Sequence, residues 1–202
     1  MVTFNVSMTG AGDVMRYLNE IKRRASREAV METAKAVQQR LVMNVNGQIL
    51  KTRSGRLKGG WSRPARVTGT DDSPSATISA NVAYAAIHEY GGTVRPKRTK
   101  WLTIPVGRAL TPTGQAKVTA RMFIADPGSL GYDASFFRKT TSGAVILGVR
   151  GKKRQIIEPV FVLRSEVRIP GRRYMTHSVN QALPRVPQIV EAAVNRAKQT
   201  LG

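Results

Sequence analysis

One long apolar stripe near the start of the chain constrains the fold more than any other feature. Its members recur every three to five residues, mostly three and four: Val14, Leu18, Ile21, Ala25, Ala29, Ala34, Val37, Leu41 and Val45. This period is that of an amphipathic helix, which we expect to begin at Asp13 and to end at Asn46 and Gly47. At 1.5 Å per residue the helix would be roughly 50 Å long. A helix of that length usually spans a sheet and can project beyond it.

The segments after the stripe change to the patterns of strands and turns. Period-two alternation bounded by Gly, Pro, Asp or Ser predicts short half-buried strands, and glycine-rich basic runs predict loops. The predicted elements are strands at Thr3–Val6, Trp61–Val67, 77–82 (with Ile78, Ala80 and Val82 inward) and Phe161–Pro170, a hairpin turn at Thr68–Pro74, an extended loop at Thr52–Trp61 and a short helical turn at Tyr84–Gly92.

The middle of the chain, from Thr93 to Pro159, has a looser pattern. Its apolar runs, separated by basic or glycine-rich connections, are Trp101–Val106, Met122–Ile124 and Ala144–Val149. Beyond it, Pro187 begins a second amphipathic helix that reaches Leu201. The sequence therefore predicts an α+β fold in which the long N-terminal helix and the C-terminal helix pack on an antiparallel β-sheet. We expect one domain over residues 1–202, with an inserted basic β subregion at about 93–159.

Charge is the unusual property of the composition. The chain has 33 Lys and Arg against 12 Asp and Glu, a formal net charge of +21. Repulsion of that size opposes self-association unless an acidic or polyanionic partner neutralises it. Residues 95–173 hold 17 basic and four acidic residues, a net of +13, whereas 174–202 carry a net of only +2. The surplus cations therefore belong to the middle of the chain and not to a basic tail.

Glycine-rich basic segments are the predicted contacts to DNA phosphates or to neighbouring subunits, because such contacts ask only for mobile cations. The candidate residues are Arg53, Arg56, Lys58, Arg150, Lys152, Lys153 and Arg154. Base-specific or single-strand binding is not expected, since aromatic residues are only 6% of the chain and form no interleaved platform. A further basic group, Lys22 to Arg27, is either a solvated helix face or a partner contact.

Residue types that carry chemistry are scarce. The chain has no cysteine, and its two histidines, His88 and His177, are too far apart for a local metal motif. His88 and Glu89 are adjacent and would not face each other on a helix, so we assign them a structural or interface role and not that of a general base. Asp71 and Asp72 belong to a Gly, Thr, Ser and Pro turn, which we prefer to a metal site. We expect no enzyme activity, no metal and no cofactor.

Membrane and secretion signals are also not apparent. No uncharged apolar run reaches about 18 residues, and Met1–Met8 lacks a basic start followed by an apolar stretch. We therefore expect no membrane contact and assembly in the cytoplasm.

Three short segments follow one another in a defined order along the chain. The central one is Tyr84-Ala85-x-x-His88-Glu89-Tyr90-Gly91-Gly92; Thr52-x-Ser54-Gly55-x-Leu57 precedes it, and Val167-x-Ile169-Pro170-x-Arg172-Arg173-Tyr174-Met175 follows it. In this order, and in their placement relative to the predicted helices, they resemble the tail-completion and virion-morphogenesis proteins of tailed bacteriophages. That broad family includes minor tail, head-tail joining and tail-terminator-like subunits. The resemblance covers about 13–92 and 161–201, and Arg173 stands where the family commonly has proline.

The resemblance implies a structural virion protein of the phage neck that completes or caps the tail tube and joins it to the head. It implies a homo-oligomeric ring, commonly a hexamer, in contact with the tail tube protein, head-side connector proteins and, non-specifically, packaged DNA. The implied structural motif is Tyr84, Ala85, His88, Glu89, Tyr90, Gly91, Gly92, Ile169, Pro170 and Arg172. The charge leaves open the alternative of a non-specific nucleic-acid-binding protein.

Overall fold

The computed structural model describes residues 11–141 and 143–201, and it has the predicted α+β fold. The chain divides into two compact units. Unit 1 contains the described residues up to Leu50, Arg56–Val82 and those from Tyr174 onward, and unit 2 contains Lys51–Gly55 and Ala83–Arg173. The predicted strand Thr3–Val6 lies outside the described residues.

Unit 1 is built from helices and one hairpin. Its elements are α1 (Ala11–Met43), a π-helical turn (Asn44–Gln48), α2 (Arg56–Trp61), β1 (Arg66–Gly69), β2 (Pro74–Thr77), α5 (Tyr174–Ala182), a 3₁₀ turn (Leu183–Arg185) and α6 (Val186–Leu201). β1 and β2 pair antiparallel, so the predicted hairpin is confirmed. The predicted end of the first helix is confirmed as well, because Asn46 and Gly47 leave helical geometry, Gly47 with a φ of 129°. The predicted start is displaced, since Asp13 lies inside the first turn and pairs with Arg16.

Small side chains let α1 and α6 approach closely. Ala25 and Ala29 of α1 are buried in one cluster with Ala193 and Ala197 of α6, and Ile21 closes its end. Just beyond α1, in the π-helical turn, a buried amide makes a contact with α5. Asn44 Nδ2 donates to Ser178 Oγ at 2.8 Å, and Ser178 Oγ donates to the carbonyl of Tyr174 at 2.6 Å. The apolar stripe of α1 thus forms the interior of unit 1 together with the C-terminal helices.

Several local predictions in unit 1 were wrong. The segment expected to be an extended loop contains α2, and Trp61 ends that helix instead of starting a strand. Tertiary bonds hold Trp61 there, because Gln38 of α1 donates to its carbonyl at 2.8 Å. The strand predicted at 77–82 is Pro74–Thr77 instead; Ile78, Ala80 and Val82 are half-buried between exposed neighbours but make no strand ladder. Helix α5 was not predicted.

Unit 2 contains two small antiparallel sheets. Its elements are α3 (Ala85–Tyr90), β3 (Gly91–Val94), β4 (Leu102–Pro105), a 3₁₀ turn (Gly107–Ala109), α4 (Ala120–Ala125), a 3₁₀ turn (Pro127–Leu130), β5 (Ala134–Thr140), β6 (Gly143–Arg150), β7 (Ile156–Arg164) and β8 (Val167–Pro170). One sheet has the order β4-β7-β6-β5 and the other pairs β3 with β8. The unit extends past both ends of 93–159.

One face of the four-stranded sheet carries the core of unit 2. Phe123 of α4 is fully buried, with its ring centroid 5.6 Å from Tyr132 and 5.9 Å from Phe161. Gly148 of β6 leaves room for the Tyr132 ring, since a Cβ at this glycine would lie 2.5 Å from a ring carbon. The sheet and its covering helix therefore interlock through aromatic rings.

Two predictions in unit 2 were wrong. Met122–Ile124, expected to be β-structure, lies in α4, whose N-cap Thr119 accepts a bond from the amide of Met122. The single last strand expected at Phe161–Pro170 is two strands in different sheets, divided at Ser165 and Glu166. Short apolar runs do not distinguish a buried helical turn from a strand, which accounts for the first error. None of the described helices is long and apolar enough to cross a membrane.

Candidate functional site

The motif residues meet in one corner of unit 2. Helix α3 runs directly into β3, and β3 pairs with β8 so that Gly91 lies opposite Pro170 and Gly92 opposite Ile169. The amide of Arg172 then donates to the carbonyl of His88 at 2.8 Å, and that of Arg173 to the carbonyl of Glu89 at 3.0 Å. Segments about 80 residues apart in the chain are thus joined by backbone hydrogen bonds.

Backbone geometry at this corner leaves little freedom. Gly91 has a φ of 78°, a left-handed value that favours glycine. A Cβ at Gly171 would lie 2.7 Å from the carbonyl carbon of Tyr90, closer than two chains can pack. Among the residues that the structure describes, Arg173 is the one non-glycine residue with a positive φ, 47°. A proline, whose ring fixes φ near −65°, could not adopt that conformation, so a proline is excluded from this position of the corner.

The corner's side chains divide into buried and exposed sets. Ala85 and Glu89 are buried, and Glu89 has interactions with its surroundings. His88 is half-buried and meets Tyr84 edge to face at 5.8 Å. Tyr90, in contrast, is 80% exposed although both of its neighbours are held by hydrogen bonds. A large aromatic side chain presented to solvent on a fixed backbone is the type of residue that anchors protein interfaces.

The pKa of His88 is lowered from its ordinary value, first by burial and then by the positive charge of Arg172. The neutral ring is therefore the form favoured by the fold. Between the lowered pKa and the ordinary value near 6.5, the unfolded chain binds more protons than the folded one, so stability falls as pH falls.

We expect the melting temperature of the wild type to drop as pH is lowered from about 7 to 5, because protonated His88 is disfavoured in the corner. His88→Gln should remove this part of the slope. His177→Gln is the matched control, because His177 is exposed on α5, outside the corner. Thermal melts of the three proteins across this range provide the measurement, and equal slopes in wild type and His88→Gln would contradict the assignment.

The earlier segment, Thr52 to Leu57, does not join the corner as one piece. Lys51–Gly55 belongs to unit 2, whereas Arg56 and Leu57 begin α2 in unit 1. The carbonyl of Arg53 accepts a hydrogen bond from Gln115 Nε2 in unit 2. The candidate cations of this segment are accordingly divided, with exposed Arg53 in unit 2 and exposed Arg56 and Lys58 on α2.

The second group of candidate cations lies at the turn between β6 and β7, and its members have different roles. Arg150 is half-buried and donates to Glu158 at 3.1 Å, and Glu158 accepts from Tyr132 Oη at 2.9 Å. These hydrogen bonds, first from Tyr132 and then from Arg150, lower the pKa of the Glu158 carboxyl. Arg150 is therefore paired within the sheet and is not a free cation.

Lys152, Lys153 and Arg154 form the exposed part of that turn, which we call the β6–β7 cation turn. All three are exposed, and none pairs with a carboxylate in residues 11–141 or 143–201. The turn itself is ordered by Gly151, whose amide donates to Asp133 Oδ2 at 2.8 Å. Three charges are thus presented to solvent on a hydrogen-bonded hairpin.

Sequence reasoning missed other cations of unit 2 with the same property. Lys97, Arg98, Arg138 and Lys139 are exposed and have no carboxylate partner within the described parts of the chain. The run Pro96-Lys97-Arg98-Thr99-Lys100 was the available signal for the first two. The strand residues Arg138 and Lys139 carried no local signal, because their exposure depends on the pairing of β5 with β6.

Asp71 and Asp72 pair with basic residues of α1, a contact that the sequence did not predict. Asp71 lies 3.6 Å from Arg23 and 3.4 Å from Arg27, and Asp72 lies 3.4 Å from Lys22. The basic group of α1 therefore faces the hairpin turn of the same unit. Carboxylates placed against cations in this way disfavour a metal ion at the turn. These pairs are half-exposed, so each contributes little to stability.

Groups of three His, Asp or Glu side chains close enough to hold a metal ion do not occur among the described residues. Comparisons of the chain with protein-family models, curated proteins and solved structures gave no match.

Proposed function

We propose that this chain is a structural subunit of the neck of a tailed bacteriophage, which completes the tail tube and joins it to the head as a ring of identical copies. The observation that carries the proposal is the corner of unit 2. Two of the three segments that carry the resemblance to the phage family contribute to one hydrogen-bonded arrangement there, through Tyr84–Gly92 and Val167–Arg173. A motif that serves packing and presents a strongly exposed aromatic, Tyr90, suits an assembly role.

Charge supports an assembly role as well. Residues 51–55 and 83–173 hold 19 basic and five acidic residues, a net of +14. Exposed cations without carboxylate partners repel each other. Acidic protein surfaces or DNA phosphates that bind them relieve this electrostatic repulsion. A neck subunit meets both, since packaged DNA passes through the neck and a closed ring can alternate complementary surfaces.

Head–tail joining in an extract from infected cells tests the proposal directly. Heads and tails made without this chain should remain separate and should join when the purified protein is added. Tyr90→Ala should reduce joining by about tenfold, as expected for the loss of an aromatic interface anchor. Phe137→Ala removes another exposed aromatic of unit 2 and is the matched control. Normal joining in extracts that lack the chain would overturn the proposal.

A non-specific nucleic-acid-binding protein is the second candidate, and the β6–β7 cation turn is the observation that favours it. Its three unpaired charges are free to contact phosphates, and each phosphate neutralised adds about 0.9 to the slope of log affinity against log salt. Replacing Lys152, Lys153 and Arg154 by Ala should therefore reduce that slope by up to about 2.7.

Duplex DNA binding measured over a range of salt concentrations tests this prediction. The matched control replaces Arg16, Lys35 and Arg95 by Ala, because each of these cations already pairs with a carboxylate. The control should change the slope much less. Discrete complexes of monomers with free DNA, without binding to tails, would favour this candidate over the neck subunit.

A further inference from the structure

Unit 1 contains an open apolar groove. It has a volume of about 600 Å³ and lies between α1, α2, the hairpin and the two C-terminal helices. Val30 and Val37 of α1, Trp61, Ala76, Val179 and Val190 are among its lining residues, and no charged side chain lines it. Val179 and Val190 are 42% and 43% exposed at its rim. Covering a groove of this composition with an apolar segment is favourable, because it removes apolar surface from water.

A buried polar atom in the groove's lining also lacks a partner. Trp61 is only 4% exposed, and its Nε1 has no hydrogen-bond acceptor among the described residues. Buried indole N–H groups usually find an acceptor. Because Nε1 is itself closed to solvent, a group entering the groove does not reach it, and the groove asks only for an apolar occupant.

The beginning of α1 offers such an occupant. The packed part of the apolar stripe starts at Ile21, which lies in the cluster with α6. The preceding residues, Gly12 to Asn19, are all exposed and form a segment that we call the overhang. Its apolar members are Val14, Met15, Tyr17 and Leu18, between 42% and 58% exposed.

The overhang cannot fill the groove of its own chain. The overhang and one wall of the groove belong to the same continuous helix, and the centre of the overhang is separated from that wall by about 18 residues, or roughly 27 Å along the axis. A rigid helix cannot fold back on itself over that distance.

From these observations we propose that the overhang of one copy binds in the unit 1 groove of the next copy. The contact is a helix-in-groove interaction in which anchors spaced three and four residues apart enter an apolar cleft. It is heterologous, because the two surfaces are different parts of the chain, and a heterologous contact generates a ring when its rotation closes. This inference rests on the proposed ring and names the surfaces that build it.

A pair of exposed-site variants tests the contact in solution. Leu18→Glu in the overhang and Val190→Glu at the groove rim should each convert the oligomer of the full-length chain to monomers in sedimentation velocity experiments. Gln39→Glu, a charge added at an exposed polar site of the same helix outside both the overhang and the groove lining, is the matched control and should leave the oligomer unchanged. Melting temperatures of all variants show that they remain folded.

Mixing the two defective variants provides the sharper result. Each retains one intact surface, so an equimolar mixture should form a one-to-one dimer that grows no further. Because the chain has no cysteine, the contact can also be tested by disulfide cross-linking. Leu18→Cys mixed with Val190→Cys should cross-link under a thiol oxidant, whereas Leu18→Cys mixed with Gln199→Cys should not.

Different results overturn different claims. Oligomers that ignore both glutamate variants, or a mixture that stays monomeric, would overturn the helix-in-groove contact and leave a ring built by other surfaces. A wild-type chain that stays monomeric both alone and on isolated tails would overturn the contact and the ring together.

Discussion

Phe123→Ala should destabilise unit 2 by about 3 to 5 kcal/mol, the usual range for removing a buried aromatic ring. Phe123 is fully buried, and its ring meets both Tyr132 and Phe161. Its removal leaves a cavity between α4 and the sheet that two rigid aromatic neighbours cannot readily fill. Amide hydrogen exchange of β6 and β7, followed by mass spectrometry, measures the loss within unit 2 itself.

Two control variants separate the cavity from other effects. Phe137→Ala removes a ring of the same type that is 52% exposed, and it should change stability by less than about 1 kcal/mol. Phe123→Leu keeps most of the volume and should cost less than about 1.5 kcal/mol. Equal protection in wild type and Phe123→Ala would show that this ring does not hold the core of unit 2.

Arg173→Pro should destabilise the corner by about 3 kcal/mol or more, even though proline is common at this place in the family that the chain resembles. Arg173 has a φ of 47°, which the proline ring forbids, and its amide donates to the carbonyl of Glu89 at 3.0 Å. The substitution removes both the conformation and the bond. Chemical denaturation and hydrogen exchange of α3 give the measurement.

Arg173→Gly is the control at the same position. Glycine adopts the left-handed region freely and keeps the amide, so stability should change by less than about 1 kcal/mol. If proline were tolerated as well as glycine, the corner would have the family's backbone and the left-handed conformation assigned to Arg173 would be wrong.

The elements that the sequence predicted well are those with long or locally punctuated signals. The stripe from Val14 to Val45 defined α1 because nine residues shared one period. Asn46 and Gly47 ended the helix, and the glycines after Tyr90 closed α3, because these are local backbone requirements. The fold class followed from the order of such patterns.

The features that could not be predicted depend on contacts between distant segments. Trp61 stays in a helix because Gln38 holds its carbonyl. Arg150, expected to be a free cation, is bound by Glu158 across a strand pair. The corner likewise depends on the pairing of β3 with β8, and no local propensity specifies which strands pair. The sequence does not show which part of the apolar stripe is packed and which part is exposed, so it predicts neither the groove nor the overhang.

We propose that the surplus positive charge and the exposed apolar surfaces of this chain serve assembly at the end of a tail tube. Negative-stain imaging of isolated tails mixed with the purified protein tests it most directly. We predict rings that cap tube ends with wild type and Gln39→Glu, and bare ends with Leu18→Glu. Tube ends that stay bare with the wild-type protein while it coats added DNA would contradict it.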